Sequence, residues 1–254
     1  MLEFNNQVVI VTGAGSPKGI GRTIANTFAR QGATVIVADI NEAGIQDTCD
    51  FINGQGHPGK ADGKVVNVTD KASIDELVKY IMEKYGRIDV LVNNAGISQK
   101  VTVEDMTVDD MKRIFSVNMF GLFQITQACV AEMKKAKYGR VVSLSSVSAK
   151  RGGGVFGGAH YSASKAGVLG FSKNLAREVA ADGITVNCVA PGLINTEIWK
   201  SLPADLVKMV IGGIPAGRPG ETQEVADTIV FLASKEASYI TGEDIDINGG
   251  SHMD

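Results

Sequence analysis

A tyrosine and a lysine four positions apart, Tyr161 and Lys165, have the types and spacing that proton transfer requires. A free tyrosine titrates at about pH 10, which is too high for a base at neutral pH. Residues four apart lie on one face of a helix, and an ammonium close to a phenol favours the phenolate and lowers its pKa. The pair therefore predicts an acid and base in which Tyr161 exchanges the proton and Lys165 supplies the charge.

A glycine-rich segment, TGAGSPKGIG at 12–21, follows the first apolar β-branched run and precedes an apolar helix. Glycine permits a tight turn and lets backbone approach a pyrophosphate. The free N–H groups at the N-terminus of the next helix attract the phosphates. The segment predicts a dinucleotide-binding loop; glycine used only for the geometry of the turn is the structural alternative.

Asp39 closes the second predicted strand about 20 residues after the glycine loop, where a carboxylate can accept hydrogen bonds from both adenosine ribose hydroxyls. The same carboxylate repels a 2′-phosphate, which favours NAD over NADP. Lys18 in the loop favours NADP, because a cation can neutralise that phosphate, but Asp39 carries more weight than a mobile lysine. A helix cap or a solvated turn is the structural alternative for Asp39.

Short β-branched runs alternate with longer amphipathic segments, as in 70–85, along the whole chain. The runs predict strands at 8–11, 34–37, 64–66, 88–92, 140–144 and 185–189, with an edge strand at 244–247. Nearly continuous apolar runs are typical of parallel strands that are covered on both faces. The pattern predicts the α/β class: a single Rossmann domain over residues 1–254 with a doubly wound parallel sheet of six to seven strands.

Composition excludes several classes of function. The chain has 254 residues, 44% of them hydrophobic, and a net charge of −3 gives no reason to propose nucleic acid as a partner. No secretory signal is visible and no apolar run reaches the ~20 residues of a membrane span, so we expect a cytoplasmic protein without a membrane partner. Cys49, Cys129 and Cys188 lack C-x-x-C spacing, which predicts reduced thiols in or near the core. No metal site is predicted.

Five ordered motifs together resemble the short-chain dehydrogenase/reductase family. They are the glycine loop at 12–21, NNAG at 93–96, YSASK at 161–165, PGLINT at 191–196 and INGG at 247–250, and they span essentially the whole chain. The resemblance implies a nicotinamide cofactor and a homotetramer. Its interface would be formed by the long helices around 109–135 and 161–181, which carry surplus apolar residues such as Phe120, Phe123 and Phe171.

The resemblance also implies roles for individual residues. The catalytic set is Asn118, Ser146, Tyr161 and Lys165: the serine holds the substrate oxygen, the lysine also holds the nicotinamide ribose, and the asparagine holds a water of the proton relay. The implied cofactor-binding residues are Gly13, Gly15, Ser16, Gly19, Ile20, Gly21, Asp39, Ile40, Asn67, Val68, Asn94, Gly96, Tyr161, Lys165, Pro191, Ile194 and Thr196. The candidate substrate contacts are Ser148, His160 and Trp199. For His160 and Trp199 packing is the structural alternative, and for Asn118 it is satisfaction of backbone groups at a helix kink.

Two spacings depart from the family pattern. Five residues separate Gly13 from Gly19 instead of three, so Gly15 is an alternative first glycine of the motif. Ser146 precedes Tyr161 by 15 positions rather than about 13, and the glycine-rich stretch 152–158 accounts for the longer loop. Ser145 and Ser148 are the weaker candidates for the catalytic serine.

The predicted reaction is hydride transfer between NAD(H) and a secondary alcohol or ketone. A small polyol or sugar-type substrate is favoured because Ser148, Lys150, Arg151 and His160 make the loop before and around the tyrosine polar. The alternative is an NADPH-dependent 3-oxoacyl carrier-protein-type reductase, which Lys18 supports and Asp39 opposes. A remote alternative is a nucleotide-binding protein of this fold without catalysis, which need not retain all four catalytic residues.

Overall fold

A seven-stranded parallel sheet forms the centre of the computed structural model, which describes residues 2–197 and 203–253. The strands are β1 (Val8–Thr12), β2 (Thr34–Asp39), β3 (Lys60–Val65), β4 (Val90–Asn93), β5 (Gly139–Leu144), β6 (Ile184–Pro191) and β7 (Asp244–Ile247). Their order in the sheet is β3-β2-β1-β4-β5-β6-β7, and every neighbouring pair is parallel. The prediction of a doubly wound α/β sheet of the Rossmann type is confirmed.

Helices cover both faces of the sheet. They are α1 (Ile20–Arg30), α2 (Glu42–Asn53), α3 (Lys71–Tyr85), α4 (Val108–Phe115), α5 (Leu122–Ala136), α6 (Val147–Arg151), α7 (Ala159–Val179), α8 (Ala204–Gly212) and α9 (Thr222–Ala233). A π-helical segment, Ser116–Gly121, joins α4 to α5. Buried residues of α1, α2 and α9 form one core with the sheet, and those of α3, α5 and α7 form a second core on the opposite face.

The first strand illustrates why the apolar runs are continuous. Val9 and Val11 belong to the core beneath α1, whereas Val8 and Ile10 belong to the core beneath α3 and α5. Successive side chains of a strand point to opposite faces, so a strand that is covered on both sides has no solvent-facing position.

The third strand differs from its prediction. It begins at Lys60 rather than at residue 64 and pairs with β2 from Thr34↔Lys60 to Asp39↔Val65. An edge strand has a neighbour on one side only and needs no apolar run, so the polar start of β3 carries no strand signal. Asp62 in this strand accepts hydrogen bonds from the hydroxyls of Tyr80 at 2.6 Å and Tyr85 at 2.7 Å.

The helical stretch 108–136 is long and apolar enough, by length and composition alone, to cross a membrane. The apolar runs of the sequence had not suggested such a helix. In the fold, 44% of the most apolar 18-residue portion of this stretch is buried. Ile125, Cys129 and Met133 of α5 pack in the core against the sheet, and this packing explains much of the apolarity.

The three cysteines are free and buried. Burial raises the pKa of Cys129 to about 12 and is the main reason why the pKa of Cys49 and of Cys188 rises to about 11. Because the thiolate is the nucleophilic form, these side chains act as small apolar core residues.

Candidate functional site

A cavity of about 700 Å³ opens at the carboxyl ends of the strands where the strand order reverses, between β1 and β4. This crevice is the place where open parallel sheets bind ligands. The glycine loop enters it from the end of β1, Asp39 from the end of β2, Asn94 from the end of β4 and Pro191 from the end of β6. The sheet therefore collects residues that are far apart in the sequence.

The fold brings nearly all of the implied cofactor-binding residues to this cavity. Its lining includes Gly13, Ser16, Gly19, Ile20, Gly21, Asp39, Ile40, Asn67, Val68, Asn94, Gly96, Tyr161, Lys165, Pro191, Ile194 and Thr196, together with Ser146. Gly15 is the implied residue that does not line it. The lining also includes Leu193 and Glu197, which the sequence analysis did not identify.

At Gly13 and Gly21 the glycine loop has no space for a side chain. A Cβ at Gly21 would lie 2.4 Å from the carbonyl oxygen of Gly13, and Gly13 itself has a φ of +66°. The Asn94 amide donates to the carbonyl oxygens of Thr12 at 2.8 Å and Gly13 at 2.9 Å. In the described part of the chain, α1 has no side-chain cap and no acidic residue in its first turn, so its N-terminal amides are available to an anion. These features fit the pyrophosphate of a dinucleotide.

Asp39 organises the loop as well as lining the cavity. Its carboxylate accepts hydrogen bonds from the backbone amides of Gly15 at 2.8 Å and Asn41 at 3.0 Å. A Cβ at Gly15 would lie 2.9 Å from Cγ of Asp39, so glycine is needed for this approach. Gly15 therefore serves the contact with Asp39, while Gly13, Gly19 and Gly21 face the cavity.

Lys18, the loop cation, forms an ion pair with Glu197 at 2.8 Å. Both side chains line the cavity, and both are about half exposed or more. The carboxylate of Glu197 reduces the positive charge available to a phosphate near Lys18. Nothing in the sequence signals this pair, because the two residues come from opposite ends of the chain.

Ser146, Tyr161 and Lys165 lie together on the wall of the cavity. Ser146 caps α6, its Oγ accepting the amide of Ser148 at 3.1 Å. The Nζ of Lys165 donates to the carbonyl oxygen of Leu144 at 2.7 Å. The hydroxyl of Ser145, the neighbouring candidate, donates to the backbone oxygen of Lys165 at 3.0 Å. Ser146, unlike Ser145, acts on the pKa of Tyr161, which favours Ser146 as the partner of the tyrosine.

The electrostatics of the pair differ from the sequence-based expectation. Burial raises the pKa of Tyr161, and the hydrogen bond from Ser146 offsets this only partly. Burial also lowers the pKa of Lys165 to about 8. Both shifts have one physical cause, since a site removed from water disfavours each charged form. The protein alone therefore keeps Tyr161 a protonated phenol. A lowered pKa of Tyr161 beside a charged lysine and an oxidised nicotinamide stays a prediction for the site with bound cofactor.

Asn118 lies behind the cavity wall in the π-helical segment, a type of helical irregularity that is frequent at functional sites. Its amide donates to the carbonyl oxygen of Ile97 at 2.9 Å and to Oγ of Ser164 at 3.1 Å, and its Oδ1 accepts the amide of Ile97 at 2.8 Å. These contacts tie the segment after β4 to α7 one residue before Lys165. They match the structural alternative for Asn118, and the side chain acts here as a positioning group.

Two of the three candidate substrate contacts lie outside both cavities of the described chain. His160 is fully buried in α7, with Nε2 3.1 Å from Oε1 of Gln99, and lines neither cavity. Ser148 is buried in α6 and also lines neither. Their contact with substrate stays a prediction. Trp199 lies outside the described residues.

A second cavity of about 440 Å³ adjoins the first at its catalytic end. Leu193 lines both, and Val147 and Val155 of the second cavity are sequence neighbours of Ser146 and Phe156 of the first. Much of its surface is apolar: the residues include Val155, Leu193, Leu206, Met209, Val210 and Ile214.

Comparisons with known proteins agree with this geometry. A family model described as enoyl-(acyl carrier protein) reductase matches residues 13–252. The 3-oxoacyl-(acyl-carrier-protein) reductase FabG of Escherichia coli is 42% identical over 252 residues, covering 99% of this chain and 100% of that protein. The enzyme of the same name from Thermotoga maritima is 43% identical over 98% of this chain and 99% of that protein. The crystal structure of a 3-oxoacyl-(acyl-carrier protein) reductase from Brucella melitensis superimposes with a TM-score of 0.92 at 35% identity, covering 99% of this chain and 93% of that one.

These matches cover nearly the whole chain and agree with the five motifs and with the cavity where the strand order reverses. The seven-stranded order and the Ser146, Tyr161 and Lys165 wall are the features of the site that the resemblance implied. The chain belongs to the short-chain dehydrogenase/reductase family and is an oxidoreductase of that family.

Proposed function

We propose that the protein reduces the keto group of a 3-oxoacyl thioester to a hydroxyl group. The observation that carries the proposal is the position of Ser146 and Tyr161, which line the same cavity next to an apolar second cavity. Two adjacent hydroxyls suit one carbonyl oxygen, and the apolar space beyond suits an acyl group. The names of the 42–43% identical relatives support the same substrate class.

The proposed chemistry needs one group from outside the chain: a bound reduced nicotinamide supplies the hydride to the carbonyl carbon. Ser146 donates a hydrogen bond to the substrate oxygen as negative charge develops there. Tyr161, kept protonated by burial, transfers its proton to that oxygen. Lys165, four positions along the same helix, stabilises the resulting phenolate until solvent returns the proton.

The polar loop that favoured a polyol does not support one in the folded chain. Ser148 and His160 are buried, and Lys150 forms ion pairs with Asp244 at 2.7 Å and Asp246 at 2.9 Å. Of these four residues, Arg151 lines the second cavity and the other three line neither cavity. A polyol would place several hydroxyl groups against the mainly apolar side chains there, which costs free energy because those groups lose hydrogen bonds to water.

We also propose NADH as the preferred cofactor. Asp39 lies at the end of β2 on the wall of the cavity, and the charge of Lys18 is paired with Glu197. A 2′-phosphate near this carboxylate would be repelled, and the ion pair with Glu197 reduces the compensation that Lys18 can give. The ribose hydroxyls of NADH would instead donate hydrogen bonds to Asp39.

Initial rates test the substrate class. We expect acetoacetyl-N-acetylcysteamine with NADH to give a kcat/KM at least about 100-fold above that for the oxidation of sorbitol, xylitol or glycerol with NAD, because uncompensated polar burial of one or two hydroxyls costs this much. Faster oxidation of a polyol would favour the secondary alcohol dehydrogenase instead. No turnover of any substrate with either cofactor would support the non-catalytic alternative.

We propose a homotetramer, as the family resemblance implies. Phe120 is 56% exposed and Phe123 40% exposed on one side of the helical stretch 108–136, and Phe123 makes an edge contact with Phe171 of α7. Leu122 and Val168, apolar residues of the same two helices, are buried within the subunit and do not contribute. Large exposed aromatic residues on long helices are typical of an interface.

Sedimentation velocity at micromolar concentration is expected to give a species of four times the monomer mass. The double variant Phe120→Ser, Phe123→Ser should dissociate to smaller species while it keeps its helical circular dichroism. A wild-type chain that sediments as a monomer would contradict the tetramer.

A further inference from the structure

Two cationic side chains, Lys100 and Arg151, stand at the second cavity among its apolar residues. Lys100 follows β4 by seven positions, and Arg151 is the last residue of α6, the helix that Ser146 caps. The glycine stretch 152–154, with φ values of +72°, +66° and +141°, turns the chain so that Gly154 also lines the cavity. Two distant segments of the chain therefore place positive charge at one end of the catalytic site.

Among the described residues, each of these cations donates its side-chain hydrogen bond to a backbone oxygen. The Nζ of Lys100 donates to the carbonyl oxygen of Gly154 at 2.8 Å, and Nη1 of Arg151 donates to that of Ser251 at 3.2 Å. Within 2–197 and 203–253, neither side chain forms an ion pair with a carboxylate. An ammonium has three N–H donors and a guanidinium has five, so both retain donors for a ligand.

Lys150, the neighbour of Arg151, provides the contrast. Its ammonium is nearly buried and is paired with Asp244 and Asp246 of the edge strand β7. The chain thus neutralises one of two consecutive cations with its own carboxylates and leaves the other at the cavity. An unneutralised pair of charges beside an apolar wall is suited to an amphipathic anion.

We propose that the second cavity binds the part of the substrate beyond the reacting carbonyl, and that this part carries an anionic group recognised by Lys100 and Arg151. The inference rests on the proposed 3-oxoacyl reduction and specifies its substrate class. The apolar residues contact the carbon chain, and the two cations bind a phosphate or a carboxylate at its far end. That anion has two sources, the phosphate of a pantetheine-type carrier arm or the carboxylate of a short free acid.

Two matched pairs of substrates separate these sources. The first pair is acetoacetyl-pantetheine 4′-phosphate and acetoacetyl-pantetheine. The second is the acetoacetyl thioester of 3-mercaptopropionate and the methyl ester of that compound. The wild-type protein is expected to prefer the anionic member of one pair at least about tenfold in kcat/KM, mainly through KM, and the preference should decrease with added salt. The pair that shows the preference identifies the source, and a preference in both pairs shows that charge alone is recognised.

Variants assign the preference to the two side chains. Lys100→Gln and Arg151→Gln are each expected to reduce the preference for the anionic substrate about threefold to tenfold. The kcat/KM for the neutral substrate of the pair should change less than twofold. Arg151→Lys should retain most of it. Lys79→Gln removes an exposed cation of α3 and is the matched control. Equal efficiency with both members of both pairs, or an equal loss on the anionic and neutral members in the variants, would overturn the proposal.

A binding measurement keeps this test independent of turnover. Calorimetry with the 3-hydroxybutyryl products of the same pairs, which do not react when oxidised cofactor is left out, should give the same anion preference and the same losses in Lys100→Gln and Arg151→Gln. If no thioester is reduced but the anionic analogues bind more tightly, the proposed reaction fails and the anion site stands. If the neutral thioesters are reduced and no anion preference occurs in rate or binding, the reaction stands and the anion site fails.

Discussion

Replacement of Tyr161 by phenylalanine is expected to lower kcat for carbonyl reduction by ~10²–10⁴, the usual contribution of a positioned acid or base. The variant keeps the ring in the wall of the cavity and loses only the hydroxyl that would give its proton to the substrate. Cofactor binding should change little. Steady-state rates and a fluorescence titration of NADH measure the two quantities separately.

Tyr239→Phe is the matched control, because Tyr239 is fully exposed and its loss of a hydroxyl should leave kcat unchanged. A kcat for Tyr161→Phe within a few-fold of wild type would remove this tyrosine from the mechanism.

The pH profile follows from the same site. Since burial raises the pKa of Tyr161, its phenol remains the donor form through neutral pH. Burial lowers the pKa of Lys165 to about 8, so the lysine is charged below that pH and neutral above it. The kcat/KM for carbonyl reduction should therefore be highest at and below neutral pH, and it should fall as the pH rises through about 8 and Lys165 loses its charge.

Asp39 has the second large expected effect, on the choice of cofactor. The wild-type protein should prefer NADH over NADPH by ~10²-fold or more in kcat/KM, which corresponds to about 3 kcal/mol. A charge-assisted hydrogen bond gained with NADH and a like-charge contact imposed by NADPH account for this magnitude. Asp39→Ala should weaken NADH binding and narrow the preference. Initial rates with both cofactors measure it.

Asp39 also holds the glycine loop through the amides of Gly15 and Asn41, so Asp39→Asn is the informative companion variant. Asparagine keeps an oxygen acceptor and removes the charge. Asp39→Asn should therefore narrow the preference for NADH over NADPH with a smaller loss of NADH affinity than Asp39→Ala. Glu197→Gln frees Lys18 and should improve the efficiency with NADPH. Asp75→Ala, on α3, is the control for loss of an exposed carboxylate. Equal efficiency of the wild-type protein with the two cofactors would show that Lys18 offsets Asp39 despite its ion pair.

Local sequence determined most of the sheet and much of the cavity wall. The apolar runs at β1, β2, β5 and β6 are continuous because both faces of these strands are buried, so the pattern identifies them without knowledge of their neighbours. The glycine loop, Asp39 and the helical spacing of Tyr161 and Lys165 are local signals of the same kind. In a parallel sheet the carboxyl ends of the strands share one edge, and that rule predicts that the glycine loop after β1 and Asp39 at the end of β2 meet.

Tertiary structure decided the contacts that have no local signal. Edge pairing with β2, rather than apolarity, made the polar segment Lys60–Val65 a strand. In the sequence His160, Lys150 and Arg151 have the same polar character, but the fold places them differently. The side chains of His160 and Lys150 are buried in the protein, whereas Arg151 lines the second cavity. The pairing of Lys18 with Glu197 and the burial that sets the pKa values of Tyr161 and Lys165 depend on neighbours distant in the chain. Residue type and spacing specify which groups are available, whereas charge, protonation and access to a ligand depend on desolvation and on partners that only the folded chain brings together.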